Sequence, residues 1–400
     1  MNYVGVDVHK KYSVLCALDE RGRKLREARV EGNTGCGFAQ FFRSLEGPSK
    51  AVVEACWNWG LIHDELEELD QVEEVVLAHP AKTRLIADAQ IKTDRLDAHA
   101  LGTLLRGNLV ARAHVPRRQT RSRKNLLRQR LYWARLRTML RNRIHALLDR
   151  QRGLELPQCS DIFGQRGLFF LRQLQLPEPD GMLLREQLAL HDLIAQQMKA
   201  QEKRIAAEFK SEVIHRQLLS MPGIGTTLAA VIGCEIDQIE RFPTSEKLCA
   251  YAGVVPTTHA SGGKVAHGRL LPFCNKWLRW ALLEASWVAI GCSPYFGALY
   301  QQHRARGKKA NTAITIVARR MCRIIWQLLS ENRDFEKRPF SHRIGPFPGC
   351  SAVRLTARSA QTRSRSATTN KSVSRLSRPT AMPSSALRST IRPAIGERTS

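Results

Sequence analysis

The first ninety residues alternate between two periodicities. Residues 3–9 and 12–18 are β-branched, apolar runs that predict strands, and 24–30 predicts a third, with Asp19-Glu20-Arg21-Gly22 as the turn before it. That is an antiparallel meander. Apolar positions at helical spacing over about 37–45 lead into Ala51-Val52-Val53-Glu54-Ala55, and a second helical segment over about 61–69 leads into Glu74-Val75-Val76-Leu77-Ala78. Three meandering strands followed by helix, strand, helix, strand is the element order of a ribonuclease-H-like α/β domain.

Beyond it the pattern turns helical. Over about 118–150, Leu126, Leu127, Leu131, Trp133, Leu136, Leu140, Ile144, Leu147 and Leu148 recur near helical spacing among arginines. Over about 185–220 a second stripe runs through Leu188, Leu190, Leu193, Ile194, Met198 and Ile205. The two predict a coiled coil, either antiparallel or dimerising, since the repeat is too irregular to fix which. Residues 219–330 form a further, mainly helical unit with Met221-Pro222-Gly223-Ile224-Gly225 at its start, a Gly-rich loop at 261–268 and long helices over about 275–290 and 311–329. After Glu336 the chain becomes rich in Ser, Thr, Arg and Pro and predicts a disordered tail. The expected domains are therefore 1–115, a basic helical linker at 116–215, a C-terminal domain at 216–335 and a tail at 336–400.

Charge narrows the partner. A formal net charge of +27 points to a polyanion, and although residues 338–400 carry twelve Lys or Arg against one acid, Glu397, the rest of the chain keeps +16. Ten scattered cysteines without a CxxC pair suggest neither disulfides nor a zinc ribbon. The sequence has no signal-like start and no apolar run near eighteen residues, so a cytoplasmic protein that meets nucleic acid, and no membrane, is expected.

Acids in unfavourable places supply the candidate chemistry. Asp7 interrupts a β-branched strand, and Glu54 closes another; in a ribonuclease-H-like sheet the first and fourth strands are neighbours, so the two carboxylates converge. Asp94 and Asp97 open a helix at a spacing of three, on one face. Four such acids make a hard-oxygen site for Mg²⁺ or Mn²⁺, suited to phosphoryl transfer. Taken singly, Asp7 fits a hairpin acid, Glu54 a turn cap and Asp94 a helix N-cap equally well; their conjunction favours the metal.

Gly5-Val6-Asp7-Val8-His9-Lys10, Val53-Glu54-Ala55, Lys92-Thr93-Asp94-Arg95-Leu96-Asp97-Ala98, Pro222-Gly223-Ile224-Gly225 and Ala252-Gly253-Val254-Val255-Pro256 with Ser261-Gly262-Gly263-Lys264 follow one another along residues 1–330. In that order they resemble the DEDD transposases of the insertion sequence 110 family, relatives of the Piv-type DNA invertases. The resemblance implies a RuvC-like N-terminal domain, a C-terminal transposase domain, and a bacterial, nucleoid-associated enzyme that moves an insertion sequence. It also implies a metal-binding tetrad of Asp7, Glu54, Asp94 and Asp97 and a nucleophile, Ser261, that links transiently to a DNA end. DNA ends and target are the implied partners, with a structured guide RNA in some members and a homo-oligomer, dimer or tetramer, as the assembly. Many relatives carry two serines before the Gly-Gly where this chain has Ala260-Ser261, and their chains end near Glu336.

Read from its own surroundings, Ser261 is a turn serine beside a phosphate-binding Gly-Gly; the resemblance makes it the nucleophile, with Lys264, His267 and Arg269 near enough in sequence to stabilise charge. Gly223 and Gly225, ahead of an apolar helix, look like a helix-hairpin-helix grip on DNA phosphates, and Arg128 and Arg135 on the basic helix suit a duplex or structured RNA. Trp57 and Trp59 are expected to pack in the core rather than stack on bases. Two other functions fit these residues: a RuvC-like nuclease that uses water, with a structural serine, and a nucleic-acid-binding protein without activity.

Overall fold

In the computed structural model, which describes residues 1–56, 58–86, 93–261 and 264–336, the meander is β1 (Asn2–Val8), β2 (Tyr12–Leu18) and β3 (Lys24–Glu31). Helix α1 (Gly35–Arg43) begins where Thr34 accepts a hydrogen bond from the Gly37 amide, and leads to β4 (Ser49–Glu54), α2 (Trp59–Glu67) and β5 (Val72–Ala78). The strands lie in the order β3-β2-β1-β4-β5, with β1 antiparallel to β2 and parallel to β4. This mixed sheet is consistent with the ribonuclease-H-like order expected.

Both faces of the sheet are covered, which is why β2 is apolar at nearly every position. Val4, Val6, Leu15 and Val53 pack with Phe38, Phe42, Ile62 and Leu66 of α1 and α2, and Trp59 packs against this core as expected. After α3 (Pro80–Ile86), helix α4 (Asp94–Arg106) covers the other face, Ala98 against Cys16 and Leu18, and Leu101 and Leu105 against Val52 and Val76. The outer strand β3 is largely exposed and charged, a composition that discourages edge pairing.

Next come α5 (Arg118–Leu148), α6 (Gln165–Gln173) and α7 (Asp180–Glu208). Arg130 meets Glu202 at 2.6 Å, Arg141 donates to His191 at 3.3 Å and Gln151 donates to Asp180 at 2.5 Å. Each step forward along α5 and the residues just after it is matched by a step back on α7, so the pairing is antiparallel and within one chain. Ile144, Leu147 and Leu148 meet Leu184 and Leu188 in its seam, with Leu171 of α6 beside them. The helix expected over 185–220 is in fact two. Tight bonds from the Lys210 amide to Ala207 and from the Glu212 amide to Phe209 end α7, Phe209 is buried, and α8 (Val213–Leu219) starts afresh.

The C-terminal part is mainly helical: α9 (Thr226–Ile236), α10 (Ser245–Ala252), α11 (Lys276–Cys292), α12 (Pro294–Ala305) and α13 (Ala310–Ser330) surround a core of Ala229, Ile232, Leu282, Ala285, Val317 and Met321. One expectation fails here. Residues 264–268 are not loop but part of β7 (Lys264–Leu270), paired with β6 (Pro256–Ser261) through Thr258↔His267, Ala260↔Val265 and Ser261↔Lys264. Gly268 falls where the register shifts between the Pro256↔Leu270 and Thr258↔His267 pairs, an irregularity of the kind that tolerates glycine in a strand.

The chain forms two compact units: residues 1–128 with 205–335, and residues 129–204. The basic segment expected at 116–215 thus contributes to both. Two acids at the end of α9 tie the discontinuous unit together. Asp237, at φ 61°, meets His114 and the Thr120 hydroxyl, each at 2.8 Å, and the buried Glu235 meets Lys124 at 3.0 Å. The tail at 337–400 and Trp57 lie outside the described residues.

Candidate catalytic centre

Asp7 sits at the C-terminal end of β1, half-buried, with 15% of its side chain exposed. Strand β4 runs parallel to β1 in a register whose last pair is Val6↔Val53, so one step further sets Asp7 level with Glu54 on neighbouring strands, about 4.8 Å apart along the hydrogen-bonding direction. The carboxyl ends of parallel strands are where open α/β sheets place their chemistry. The half-buried Cys56 thiol is pushed above its usual range by burial, and the charges of Glu54 and Asp7 both add to the effect, which sets both carboxylates near it.

Helix α4 brings the other two acids. Thr93 caps it, accepting from the Leu96 amide at 3.3 Å, and Asp94 and Asp97 fill the first turn, where the helix dipole favours negative charge. The helix approaches β1 closely because both facing residues are glycines: a Cβ on Gly102 would lie 3.3 Å from the Gly5 amide nitrogen. This approach carries Asp94 and Asp97 to Asp7.

His9 completes the group. Its Nε2 lies 3.0 Å from Asp7 Oδ2 and 3.3 Å from Asp94 Oδ2, and the Tyr12 hydroxyl donates to the same Asp94 oxygen at 2.8 Å. Asp7, His9 and Asp94 each offer a donor atom within 4.8 Å of the others. Glu54 and Asp97 lie outside that tightest set, although Asp97 is near enough to act on Asp7 electrostatically. Burial raises the Asp7 pKa above the ordinary carboxylate value, the His9 contact opposes this, and the charges of Asp97 and Asp94 add to it. Burial first, and the neighbouring carboxylates after it, make charge on Asp7 costly, a cost that a bound cation would relieve. The spacings fit one: cis donors around an octahedral ion with bonds of about 2.1 Å stand about 3.0 Å apart.

A second group of possible donors, His63, Asp64 and Glu67, is arranged differently. Arg121 donates to both Asp64 oxygens at 2.6 and 2.5 Å and Arg118 Nε stands at 3.0 Å, so guanidinium groups already neutralise it.

Sequence reasoning missed His9 and Tyr12 as members of the site. The signal for His9 was present, since residues two apart at a strand end share a face. Tyr12 reaches Asp94 only through the fold. Of the remaining expected site residues, Ser261 ends β6 opposite Lys264, at the tip of a hairpin whose Gly262 and Gly263 lie outside the described residues. None of the described contacts of Asp7, His9 or Asp94 reaches this hairpin. Arg269 and Arg135 are exposed; Arg128 lies 3.6 Å from Glu235 and over the Trp277 ring. Gly225 precedes α9 with open space around it, whereas Gly223, at φ 86°, turns toward α11, where a Cβ would lie 2.4 Å from the Ala285 carbonyl oxygen. Packing alone therefore requires glycine at 223.

Two family models match this chain. A DEDD transposase model of the IS110 type matches residues 4–151, which hold all four acids, and a model described as "Transposase IS116/IS110/IS902 family" matches residues 215–301, which hold Ser261. The chain belongs to the IS110 family of transposases. This transposase is 31% identical over 146 residues to an insertion element IS110 protein of Streptomyces coelicolor, a match covering 36% of each chain. It is 25% identical to a probable family 20 transposase of Pseudomonas aeruginosa over 82% of its own length and 92% of the relative's. A pilin gene-inverting protein of Moraxella bovis is 30% identical over 131 residues, covering 32% of the transposase and 41% of that protein. The transposase thus spans about a third of the first of these relatives and most of the second. Among its described residues no helix is long and apolar enough to cross a membrane.

Proposed function

We propose that this transposase cuts and rejoins the DNA of a mobile insertion sequence, with a divalent cation, Mg²⁺ or Mn²⁺, held by Asp7, Glu54, Asp94 and Asp97, and with Ser261 as nucleophile. The observation that carries the proposal is the convergence of Asp7 and Asp94, with His9, at the carboxyl ends of β1 and β4. When bound, the cation supplies positive charge to phosphate oxygens and lowers the pKa of an attacking hydroxyl. The Ser261 Oγ loses its proton to solvent or a base and bonds to phosphorus as the strand's ester oxygen departs with the electron pair and takes up a proton; a second DNA hydroxyl then attacks the same phosphorus, breaking the Oγ–P bond and returning the serine hydroxyl. The basic chain suits DNA as substrate, and a structured guide RNA and a dimer or tetramer of this chain are its proposed partners. Arg128, Arg135, Lys264, Arg269 and the amides around Gly223 and Gly225 contact backbone phosphates in this scheme. The setting is the bacterial cytoplasm, on nucleoid DNA.

The test is recombination of a plasmid bearing the element ends by wild type, Asp7→Ala and Ser261→Ala, with denaturing gels for protein attached to DNA. Both variants are expected to lose recombination, by at least about a thousandfold each, and Ser261→Ala to lose the adduct. Recombination by Ser261→Ala with none by Asp7→Ala removes the serine role and leaves a RuvC-like nuclease acting through water.

A further inference from the structure

We infer that His9 is itself a ligand of the ion at this centre, which makes the site a mixed nitrogen–oxygen one that prefers first-row transition ions, Mn²⁺ among them, over Mg²⁺. This rests on the metal-centre reading above and goes beyond its four carboxylates.

Three observations carry it. The Nε2 distances, 3.0 Å to Asp7 Oδ2 and 3.3 Å to Asp94 Oδ2, are those of cis donors around one ion with bonds of about 2.1 to 2.3 Å, the range for imidazole nitrogen and carboxylate oxygen. The backbone of His9 is fixed from both sides, its amide donating to the Tyr12 carbonyl at 2.9 Å and its carbonyl accepting from the Asn33 side chain at 2.8 Å. Its ring is seated against Tyr12, 4.8 Å between centroids, and Tyr12 in turn lies under the Arg29 guanidinium, 3.6 Å from the ring centre. The imidazole is thus aimed before any ion arrives. With 37% of its side chain exposed, it also leaves a path for entry.

Imidazole discriminates where carboxylates do not. Mg²⁺ takes oxygen donors almost exclusively, whereas first-row transition ions accept imidazole with affinities rising from Mn²⁺ to Co²⁺. The rival role for His9 is a counter-ion, a protonated ring occupying the place of the metal. The two roles predict opposite signs: removing a ligand weakens Mn²⁺ binding, and removing a competing cation strengthens it.

The experiment titrates the full chain with Mn²⁺, Co²⁺ and Mg²⁺ by calorimetry and records electron spin-echo modulation of bound Mn²⁺, for wild type, His9→Ala, His9→Gln and Asp7→Asn, with circular dichroism to show that each is folded. Wild type is expected to show ¹⁴N coupling to Mn²⁺; His9→Ala and His9→Gln lose it and bind Mn²⁺ about tenfold or more weakly, while Mg²⁺ affinity changes less than about threefold. Bound Mn²⁺ without ¹⁴N coupling in wild type, or tighter Mn²⁺ binding by His9→Ala, overturns the inference and leaves the carboxylate centre standing. Absence of Mn²⁺ binding in wild type, or binding unchanged in Asp7→Asn, overturns the metal centre as well. Should the His9 variants fail to fold, ¹⁴N coupling in wild type decides alone.

Discussion

A methyl group added at Gly5 would sit 1.9 Å from the Ala98 carbonyl oxygen and 2.6 Å from the Gly102 amide nitrogen, both backbone atoms of α4. Backbone cannot swing aside as a side chain does, so the helix has to move, and Asp94 and Asp97 move with it. Gly5→Ala is therefore expected to cost about 1–3 kcal/mol of stability by urea unfolding and to lower recombination by more than that loss explains; unchanged stability would show that the close approach is not needed. At this scale the sequence exposes its acids because each stands where an apolar or neutral residue is the ordinary choice: Asp7 among valines, Glu54 closing an apolar strand. Gly5 and Tyr12 give no such signal. Their reasons are partners more than eighty residues away, Ala98 and Gly102 for the one and Asp94 for the other.

Among the elements, the five strands and first two helices were legible because β-branched apolar runs alternate with helical patterns there, whereas α3 was not. The β6–β7 hairpin was not, since its ladder depends on pairing rather than composition, and neither was the break between α7 and α8, which rests on the burial of Phe209. The antiparallel order of α5 and α7 is written in charge pairs that mean nothing until the helices touch. His191 lies in that pairing and accepts a hydrogen bond from Arg141, which requires an unprotonated Nε2; burial, and then the Arg141 charge, hold its pKa below the ordinary histidine value. The folded chain therefore binds fewer protons here than the unfolded one, and stability present above about pH 6.5 falls as the pH drops below it. The protection of residues 129–204 against hydrogen exchange, corrected for the intrinsic rate at each pH, is expected to fall between pH 7 and 5 in wild type and less so in His191→Gln, whose amide still accepts from Arg141; an equal fall in both would assign the acid sensitivity elsewhere. The Lys124–Glu235 pair behaves by another rule, because both side chains are at least nine-tenths buried. Lys124→Met is expected to cost about 3 kcal/mol or more in chemical denaturation, and Lys124→Met with Glu235→Leu to recover much of it. A double variant no better than the single would mean that Glu235 is satisfied by Arg128 and Asn275 without the lysine.

Across the whole molecule, charge sets how the chain meets its substrate. The net +27 predicts DNA binding that weakens steeply with salt, with a slope of roughly −0.9 per phosphate neutralised. A chain lacking residues 338–400 keeps +16, so filter-binding titrations from 50 to 300 mM salt are expected to show binding retained with a shallower slope; an unchanged slope would show that the tail touches no phosphates. The basic character was plain from composition, whereas the grouping of residues 1–128 with 205–335 was not, because it depends on a few long-range contacts such as His114 with Asp237. That grouping has a bearing on synthesis. A growing polypeptide emerges from the ribosome N-terminus first, so Lys124 and His114 wait for their acidic partners until residues 235 and 237 have been translated. The acids of the sheet are made early, but the unit that contains them closes late. An interrupted polypeptide that stops short of α9 carries the four carboxylates without the C-terminal half of their unit.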